Sequence, residues 1–280
     1  MKRIVTVQDI SCVGKCSLTV ALPVISAMGI ETAVLPTAVL STHTAFKGFT
    51  FRDLTDDITP VCEHWKQEQI TFDAIYTGYL GSARQLELMA RLFSDFGGKD
   101  TLVFVDPCMA DNGKLYPGFT QEFAFAMAKL AGKADVIVPN LTEASFMLGI
   151  PYRASGYDEA YIRDILKKLA GLGAKNIVVK GVELGNGKIG IMSYDPVSDT
   201  YASYFHEKLP TSFHGTGDIF ASVCVGALMR GWTLEKAYAL AADYVVEAIK
   251  ATVAHSGANW YGVDFETVVP YLVKRLEENK

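Results

Sequence analysis

Short runs rich in β-branched residues alternate with amphipathic stretches along most of this 280-residue chain. Residues 3–8, 74–77 and 101–105 are typical of buried strands, and residues 16–28 and 120–131 are typical of helices. Repeated strand-helix units with short connections predict a three-layer α/β fold, in which a central, mostly parallel sheet carries helices on both faces. The chain has no linker rich in Pro, Gly or Ser, so we expect one domain over its whole length.

Other stretches give more specific expectations. A second strand is predicted at residues 32–36, after which the pattern loosens over residues 37–52 into a polar stretch flanked by aromatic residues. A hairpin is predicted at residues 188–205, with a turn near 195–199. A last helix is predicted over residues 265–278.

Polar residues follow most of the predicted strands. They are Asp9, Ser41 to Thr44, Gly78 to Ser82, Asp106, Asn140 to Glu143, and Lys180. In a parallel sheet, ligands bind beyond the carboxyl ends of the strands. We therefore expect these residues to converge on one crevice.

A glycine-rich turn precedes an apolar run at residues 219–229. Gly215, Thr216 and Gly217 can turn tightly and present backbone N–H groups at a helix N-terminus, where an anion is stabilised. Asp218 follows in the first helical turn, where a base that accepts a proton from an attacking hydroxyl is useful. The alternative is that Asp218 is only a carboxylate at the start of a helix.

The same crevice would contain the groups that phosphoryl transfer needs. Asp106 and Glu143 are candidate Mg²⁺ ligands, directly or through water, while Asn140 supplies an amide and Lys180 a cation. The alternatives are that Glu143 compensates a helix dipole and that Lys180 is a surface lysine at a strand end. The sequence contains no P-loop, dinucleotide-binding or hydrolase-elbow motif.

Composition excludes several classes of protein. The net charge of −5 and the pI near 5.6 disfavour a nucleic-acid surface. The five scattered cysteines predict no disulfide framework and fit a reducing cytoplasm. The uncharged run at residues 16–30 contains Pro23 and Gly29 and is too short to cross a membrane.

Taken together, several motifs resemble the pyridoxal kinases of the ribokinase superfamily, in the family's order and over nearly the whole chain. The superfamily elements are the G-T-G-D run at residues 215–218 and the N-x-x-E run at residues 140–143. The S-x-H-T run at 41–44 and the T-G-Y-L-G-S run at 77–82 resemble the pyridoxal branch. Residues 4–9 and 105–107 match as well.

The resemblance implies ATP-dependent phosphorylation of the 5′-hydroxymethyl group of pyridoxal, pyridoxine or pyridoxamine on a ribokinase-like fold. By this likeness Asp218 is the catalytic base, and Gly215, Thr216 and Gly217 hold the transferring phosphoryl group. The nucleotide side follows in the same way: Asp106 and Glu143 organise Mg²⁺ and the triphosphate, Asn140 and Lys180 lie along the nucleotide, and residues 110–116 form part of a flap over ATP.

On the substrate side, the resemblance places Thr44 and Tyr79 in the vitamer pocket, with His43 nearby. It also implies a homodimer and allows a monovalent cation as a further cofactor. Histidines such as His43 and His214 are alternatively hydrogen-bonded structural groups. Tyr79 is alternatively an ordinary packing residue.

Asp9 is a departure, because pyridoxal kinases usually have serine at this place. A carboxylate can accept a hydrogen bond from a ring hydroxyl or pair with a protonated pyridine nitrogen. It can instead cap the first helix region. Competing functions are a hydroxymethylpyrimidine kinase of the same superfamily and a non-catalytic B6-binding protein. A sugar kinase is disfavoured, because the segment after the first strand lacks the polar residues and the Gly-Gly pair associated with sugar recognition in this superfamily.

Overall fold

The structure, a computed structural model, describes residues 1–185 and 187–278. Strands in this part of the chain are, in order, β1 (Arg3–Ser11), β2 (Glu31–Leu40), β3 (Phe51–Asp53), β4 (Ala74–Thr77), β5 (Leu102–Val105), β6 (Ala110–Asp111), β7 (Lys114–Leu115), β8 (Val136–Ile137), β9 (Asn176–Val182), β10 (Lys188–Asp195) and β11 (Thr200–Glu207). Helices are α1 (Leu18–Ala27), α2 (Thr55–Gln67), α3 (Ala83–Phe96), α4 (Gln121–Ala131), α5 (Leu141–Leu148), α6 (Glu159–Ala170), α7 (Thr216–Met229), α8 (Leu234–Ala254) and α9 (Val269–Glu277), with a 3-10 turn at Phe265–Val268.

Residue contacts divide the chain into two compact units. The first unit consists of Met1–Tyr76 and Pro210–Lys280, and the second is Thr77–Leu209. The prediction of one domain is not tested by this division and stays a prediction.

The strands of the first unit lie in the order β4-β1-β2-β3. β1 and β2 are parallel, with an irregularity in register between Gln8 and Ile10. β2 is longer than the predicted strand at residues 32–36, because Pro36 does not end it. β3 pairs only with Ala38–Leu40, so Pro36 has a strand neighbour on one side alone, where proline is tolerated.

α7 forms the centre of the first unit. Its residues from Asp218 to Ala227 are buried, and the helix packs on α1 and α8. A Cβ at Gly226 would lie 2.5 Å from the sulfur of Met28, so only glycine lets α7 approach this closely. The prediction of a helix ending at Met229 is confirmed, and the helix starts at Thr216.

The strands of the second unit lie in the order β11-β10-β9-β8-β5. β5, β8 and β9 are parallel, and β10 and β11 are antiparallel additions. β10 and β11 confirm the predicted hairpin. The predicted fold class, a mostly parallel sheet with helices, is confirmed.

The predicted helix at residues 265–278 is only partly correct. A 3-10 turn at Phe265–Val268 precedes α9, and Pro270 lies in the first turn of α9. Proline suits the first turn of a helix, because its missing N–H has no intrahelical acceptor there, so Pro270 favours a new helix start at this point. No helix among residues 1–185 and 187–278 is long and apolar enough to cross a membrane.

Candidate active site

The N-terminus of α7 carries the Gly-Thr-Gly-Asp run. Gly215 is its N-cap, with φ 79°, and a Cβ there would overlap the carbonyl oxygen of Lys15. No side chain caps this helix end, and the amides of the first helical turn have no carbonyl acceptor within an α-helix. Asp218 is buried in that turn. The arrangement places anion-binding N–H groups and a carboxylate side by side.

Asp9 and Asp218 both act on the thiol of Cys16. Burial raises the pKa of Cys16 most, and the negative charges of Asp218 and Asp9 raise it further. Ser11 Oγ donates to Asp9 Oδ2 over 2.9 Å. Burial raises the pKa of Asp9, while hydrogen bonds from Ser17 and Ser11 act to lower it. The predicted base and the predicted substrate carboxylate therefore lie around one cysteine.

Asp9 does not cap the first helix. It lies within β1, beside the register irregularity between Gln8 and Ile10, and the N-cap of α1 is Ser17, which makes no capping bond. Irregularities of this kind re-aim side chains next to functional sites. The sequence did not identify Cys16 as a neighbour of Asp9. The polar residues directly after the first strand could have indicated that this segment belongs to the site.

His43 is held by backbone groups at both ring nitrogens. The N–H of Ala45 donates to Nδ1 over 3.0 Å, so Nε2 carries the proton and donates to the carbonyl of Tyr261 at 3.1 Å. Burial lowers the pKa of His43, whereas the hydrogen bond to Tyr261 acts to raise it. The face of the His43 ring can therefore contact a substrate, whereas both of its nitrogens are already hydrogen-bonded to the backbone. Thr44, the next predicted pocket residue, is exposed.

His43 also belongs to an aromatic cluster that consists of His43, Phe46, His214, Trp260 and Tyr261. The ring centroid of His43 lies 5.3 Å from that of Phe46 and 5.4 Å from that of His214. Phe46 lies 4.6 Å from Trp260. Trp260 and Tyr261 were missed in the sequence, because no local pattern links them to residues about two hundred positions earlier.

In the second unit, Lys180 and Asp106 form a buried ion pair. Lys180 Nζ donates to Asp106 Oδ1 over 2.7 Å. Burial acts to lower the pKa of Lys180, but the charges of Asp106 and Glu143 outweigh it and raise this pKa. Lys180 is therefore not a surface lysine. It is a fixed cation next to two carboxylates.

Glu143 closes a capping box at the start of α5. Its backbone N–H donates to Asn140 Oδ1 over 2.8 Å, and its Oε2 accepts the N–H of Asn140 over 2.7 Å. Oε1 accepts the N–H of Met109 at 3.4 Å. Burial raises the pKa of Glu143 to about 8; Lys180 acts against this rise and Asp106 adds to it. Glu143 thus has a local role in capping the helix start, and its predicted role with Mg²⁺ stays a prediction.

The same helix start holds the hairpin of β6 and β7, within the predicted flap at residues 110–116. Asn140 Nδ2 donates to the carbonyl of Ala110 over 2.9 Å. The N–H of Gly113 donates to Thr142 Oγ1 over 3.1 Å. Asn112 and Gly113 both have positive φ, as a two-residue hairpin turn requires.

No group of three or more His, Cys, Asp or Glu in the described residues could by itself hold a metal ion. Mg²⁺ often takes only one or two carboxylates and completes its shell with water and phosphate oxygens. Asp106 and Glu143 are buried and close enough for the charge of Asp106 to raise the pKa of Glu143. That this donor pair holds Mg²⁺ together with a phosphate chain stays a prediction.

Tyr79 is half-buried at the start of the second unit. Its ring lies 5.6 Å from that of Phe119, which stacks on Phe123 at 4.2 Å.

The predicted site residues form two groups in the structure. In the first unit, Asp9 lies near the N-terminus of α7. The second unit groups the four predicted nucleotide residues (Asp106, Asn140, Glu143 and Lys180). That the two groups share one crevice stays a prediction.

The chain resembles several solved structures. A candidate phosphomethylpyrimidine kinase from Bacteroides thetaiotaomicron, solved with pyridoxal, is 38% identical with a TM-score of 0.92, and the match covers 97% of this chain and 95% of that one. Pyridoxal kinase from Lactobacillus plantarum is 32% identical with a TM-score of 0.90, and the match covers 99% of both chains.

Among curated proteins, hydroxymethylpyrimidine/phosphomethylpyrimidine kinase from Haemophilus influenzae is 32% identical over 178 residues, which is 61% of this chain and 63% of that protein. The chain spans between about one third and two thirds of the length of the first such relatives it matches. The profile of the family described as phosphomethylpyrimidine kinase matches residues 22–261. The chain therefore belongs to the phosphomethylpyrimidine kinase family and has the ribokinase-like fold of pyridoxal kinases.

Proposed function

We propose that this chain transfers the γ-phosphoryl group of ATP to the 5′-hydroxymethyl group of pyridoxal and related B6 vitamers. The observation that carries the proposal is the N-terminus of α7. There, uncapped backbone amides lie next to the buried carboxylate of Asp218. Such amides stabilise phosphoryl oxygens, and a carboxylate next to them is placed to act as a base.

In this proposal the substrate hydroxyl loses its proton to Asp218 as its oxygen attacks the γ-phosphorus. The new O–P bond forms while the bond between that phosphorus and the β-γ bridging oxygen breaks, and ADP leaves. The amides of Thr216, Gly217 and Asp218 bind the oxygens of the moving phosphoryl group. Their charge stabilisation requires no rearrangement, because the helix fixes their direction.

The nucleotide is assigned to the buried charges of the second unit. Lys180 offsets the negative charge of the triphosphate, and its ion pair with Asp106 holds the ammonium group in one position. Asn140 lies along the nucleotide and fixes the hairpin of β6 and β7 through Ala110. Mg²⁺, when held by Asp106 and Glu143, supplies further neutralisation of the phosphate oxygens.

The family resemblance assigns the vitamer to Asp9, Thr44 and Tyr79. Asp9 would accept a hydrogen bond from the ring hydroxyl or pair with a protonated ring nitrogen. Thr44 and Tyr79 would line the pocket, with the ring face of His43 nearby. The similar structure from B. thetaiotaomicron contains pyridoxal, and the similar protein from L. plantarum is a pyridoxal kinase, which supports a B6 vitamer as the substrate.

An assay that couples ADP release to NADH oxidation tests the proposal with Mg-ATP and each of the three vitamers. We expect saturable turnover of at least one vitamer and a phosphorylated product of the corresponding mass. The absence of turnover with every vitamer, in protein whose unfolding is cooperative, would overturn the proposal.

A second candidate is phosphorylation of hydroxymethylpyrimidine. The family profile and the relative from H. influenzae favour it. Asp9 is compatible with it too, because a carboxylate accepts hydrogen bonds from an amino-substituted ring. The ratio of kcat/KM for hydroxymethylpyrimidine and pyridoxal, measured in one assay, decides between the two, since buried polar groups discriminate strongly between substrates.

The remaining expectations are also proposals. A cytoplasmic enzyme is supported by the five scattered cysteines, whose odd number and spacing predict no disulfide framework. A homodimer and a monovalent-cation requirement rest on the family resemblance alone. Sedimentation at assay concentration and activity in K⁺, Na⁺ and tetramethylammonium buffers test them.

A further inference from the structure

We propose that Lys15 is a positioning residue for phosphoryl transfer, because it fixes the turn against which the N-terminus of α7 rests. The inference depends on the proposed function of Gly215 to Asp218. It concerns a residue that contacts neither nucleotide nor vitamer in that proposal.

The main chain of Lys15 is in direct contact with the N-cap of α7. A Cβ on Gly215 would overlap the carbonyl oxygen of Lys15 and would lie 2.9 Å from its carbonyl carbon. Because no side chain caps α7, this backbone contact limits movement of Gly215 towards Lys15. The position of the anion-binding amides therefore depends on where residue 15 is held.

The side chain of Lys15 is held firmly at its far end. Its Nζ donates to Asp264 Oδ1 over 2.7 Å and to Glu266 Oε2 over 2.9 Å, and the lysine side chain is only 14% exposed. The two carboxylates outweigh burial and raise the pKa of Lys15, so the ammonium group stays charged. Its stem packs on Gly262, where a Cβ would lie 2.5 Å from the Lys15 Cβ.

Asp264 is itself fixed to α8. Its N–H donates to Thr252 Oγ1 over 2.7 Å, and its Oδ2 is 2.7 Å from His255 Nδ1. Tyr244 adds a hydrogen bond from α8 to the carbonyl of Phe265 over 2.8 Å. The ion pair thus ties the turn after β1 to α8, which also packs on α7. Each part of the link lies within the first unit.

The next residue of the same turn, Cys16, is also close to the start of α7, because a Cβ on Gly215 would lie 3.5 Å from its Cα. A shift at Lys15 would therefore displace the amides at the N-terminus of α7. The expected consequence is a loss of catalytic geometry with little loss of substrate affinity, because misplacement of reacting groups by about 1 Å can cost about 100-fold in rate.

Lys15→Met tests the proposal, since methionine keeps most of the stem and removes the charge. We expect kcat to fall about 10- to 100-fold, with KM for the vitamer changed less than about threefold. Lys15→Arg should restore kcat to within about threefold, because guanidinium also pairs with two carboxylates. Lys2→Met, which removes an exposed ion pair to Asp73 from the same unit, is the control and should change neither value.

Hydrogen exchange of the peptide at residues 213–219 gives a readout that needs no turnover. We expect faster exchange of this peptide in Lys15→Met, and the wild-type exchange rate in both Lys15→Arg and Lys2→Met. This result supports the positioning role even if the wild type phosphorylates none of the alcohols and the proposed function fails. Unchanged exchange overturns it. So does a kcat within about twofold of wild type in Lys15→Met, or a loss of kcat that Lys15→Arg does not restore.

Should Lys15→Met not fold, Asp264→Asn is measured in its place by the same two readouts. It removes the charge at the other end of the ion pair and keeps the size of the side chain. The expected fall in kcat and rise in exchange are the same, and their absence overturns the proposal.

Discussion

The two helix N-termini that carry the family motifs, those of α7 and α5, are built in opposite ways. α7 begins at a glycine with no capping side chain, whereas α5 begins with a complete capping box of Asn140 and Glu143. At α7 the amides of the first turn remain available to an anion. At α5 the side chain of Asn140 accepts the amide of Glu143, and the side chain of Glu143 accepts the amide of Asn140. Asn140 also holds the neighbouring hairpin. An open helix start suits a moving phosphoryl group, and a capped one suits the support of a nucleotide loop.

The largest effect should come from the carboxylate at the open helix start. Asp218→Asn removes the proton acceptor at nearly unchanged size, so we expect kcat to fall about 1,000-fold with vitamer binding retained. Single-turnover assays and a fluorescence titration with pyridoxal measure the two quantities. Tight binding with no turnover in the wild type itself would instead indicate a non-catalytic B6-binding protein.

Gly215→Ala should have the next largest effect, because the new methyl group would collide with the carbonyl of Lys15. We expect kcat to fall about 10- to 100-fold through displaced amides. Gly231→Ala is a matched control at the other end of α7, since Gly231 has φ +85° with open space around it. The left-handed backbone costs each variant about 1–2 kcal/mol of stability. Gly215→Ala should lose more stability than Gly231→Ala, because of the overlap with the Lys15 carbonyl, and only Gly215→Ala should lose turnover. Equal turnover in the two would contradict a role for this contact.

Glu143→Gln separates the two roles of Glu143 at the capped helix start. Glutamine also completes a capping box, so the melting temperature should stay within about 3 °C of wild type. If the carboxylate also serves Mg²⁺, kcat at saturating ATP falls about tenfold and the Mg²⁺ concentration for half-maximal rate rises. Rates that are identical to wild type at every Mg²⁺ concentration would leave Glu143 with the capping role only.

The smallest expected signal is a proton released at the capped helix start when Mg-ADP binds. The pKa of Glu143 is raised to about 8, so at about pH 7 the free protein holds this proton, whereas Mg²⁺ favours the carboxylate. Calorimetry in two buffers of different ionisation enthalpy should detect release of roughly one proton at about pH 7 and almost none at about pH 9.5. Glu143→Gln should release none, and a proton count unaffected by this substitution would assign the release to another group.

Local sequence patterns predicted much of the fold. Ala74–Thr77, Gln121–Ala131 and the β10-β11 hairpin follow from strand and helix periodicity and from turn residues. The length of β2 could not be predicted. The consequence of a proline in a strand depends on whether a neighbouring strand requires a hydrogen-bond donor at that position. That neighbour is set by tertiary structure.

The candidate site divides in a similar way. Asp218, Asp106 and the Asn140-Glu143 motif are local patterns, and the last of these is also visible as a capping-box spacing. The links of Lys15 to Asp264 and of His43 to Tyr261 join residues more than two hundred positions apart. No spacing rule connects such pairs, so a single sequence cannot reveal them.

Gly226 bears on how the chain tolerates substitutions in its core. α7 is enclosed along most of its length, and Gly226 meets Met28 with no spare room. It lies about 15 Å along the helix axis from Thr216. One added methyl group there would displace the end of the Met28 side chain, which is itself buried between α1 and α7 and must find another rotamer. Substitutions that disturb the packing around α7 should therefore include purely apolar ones far from Thr216, which a search confined to charged residues would overlook.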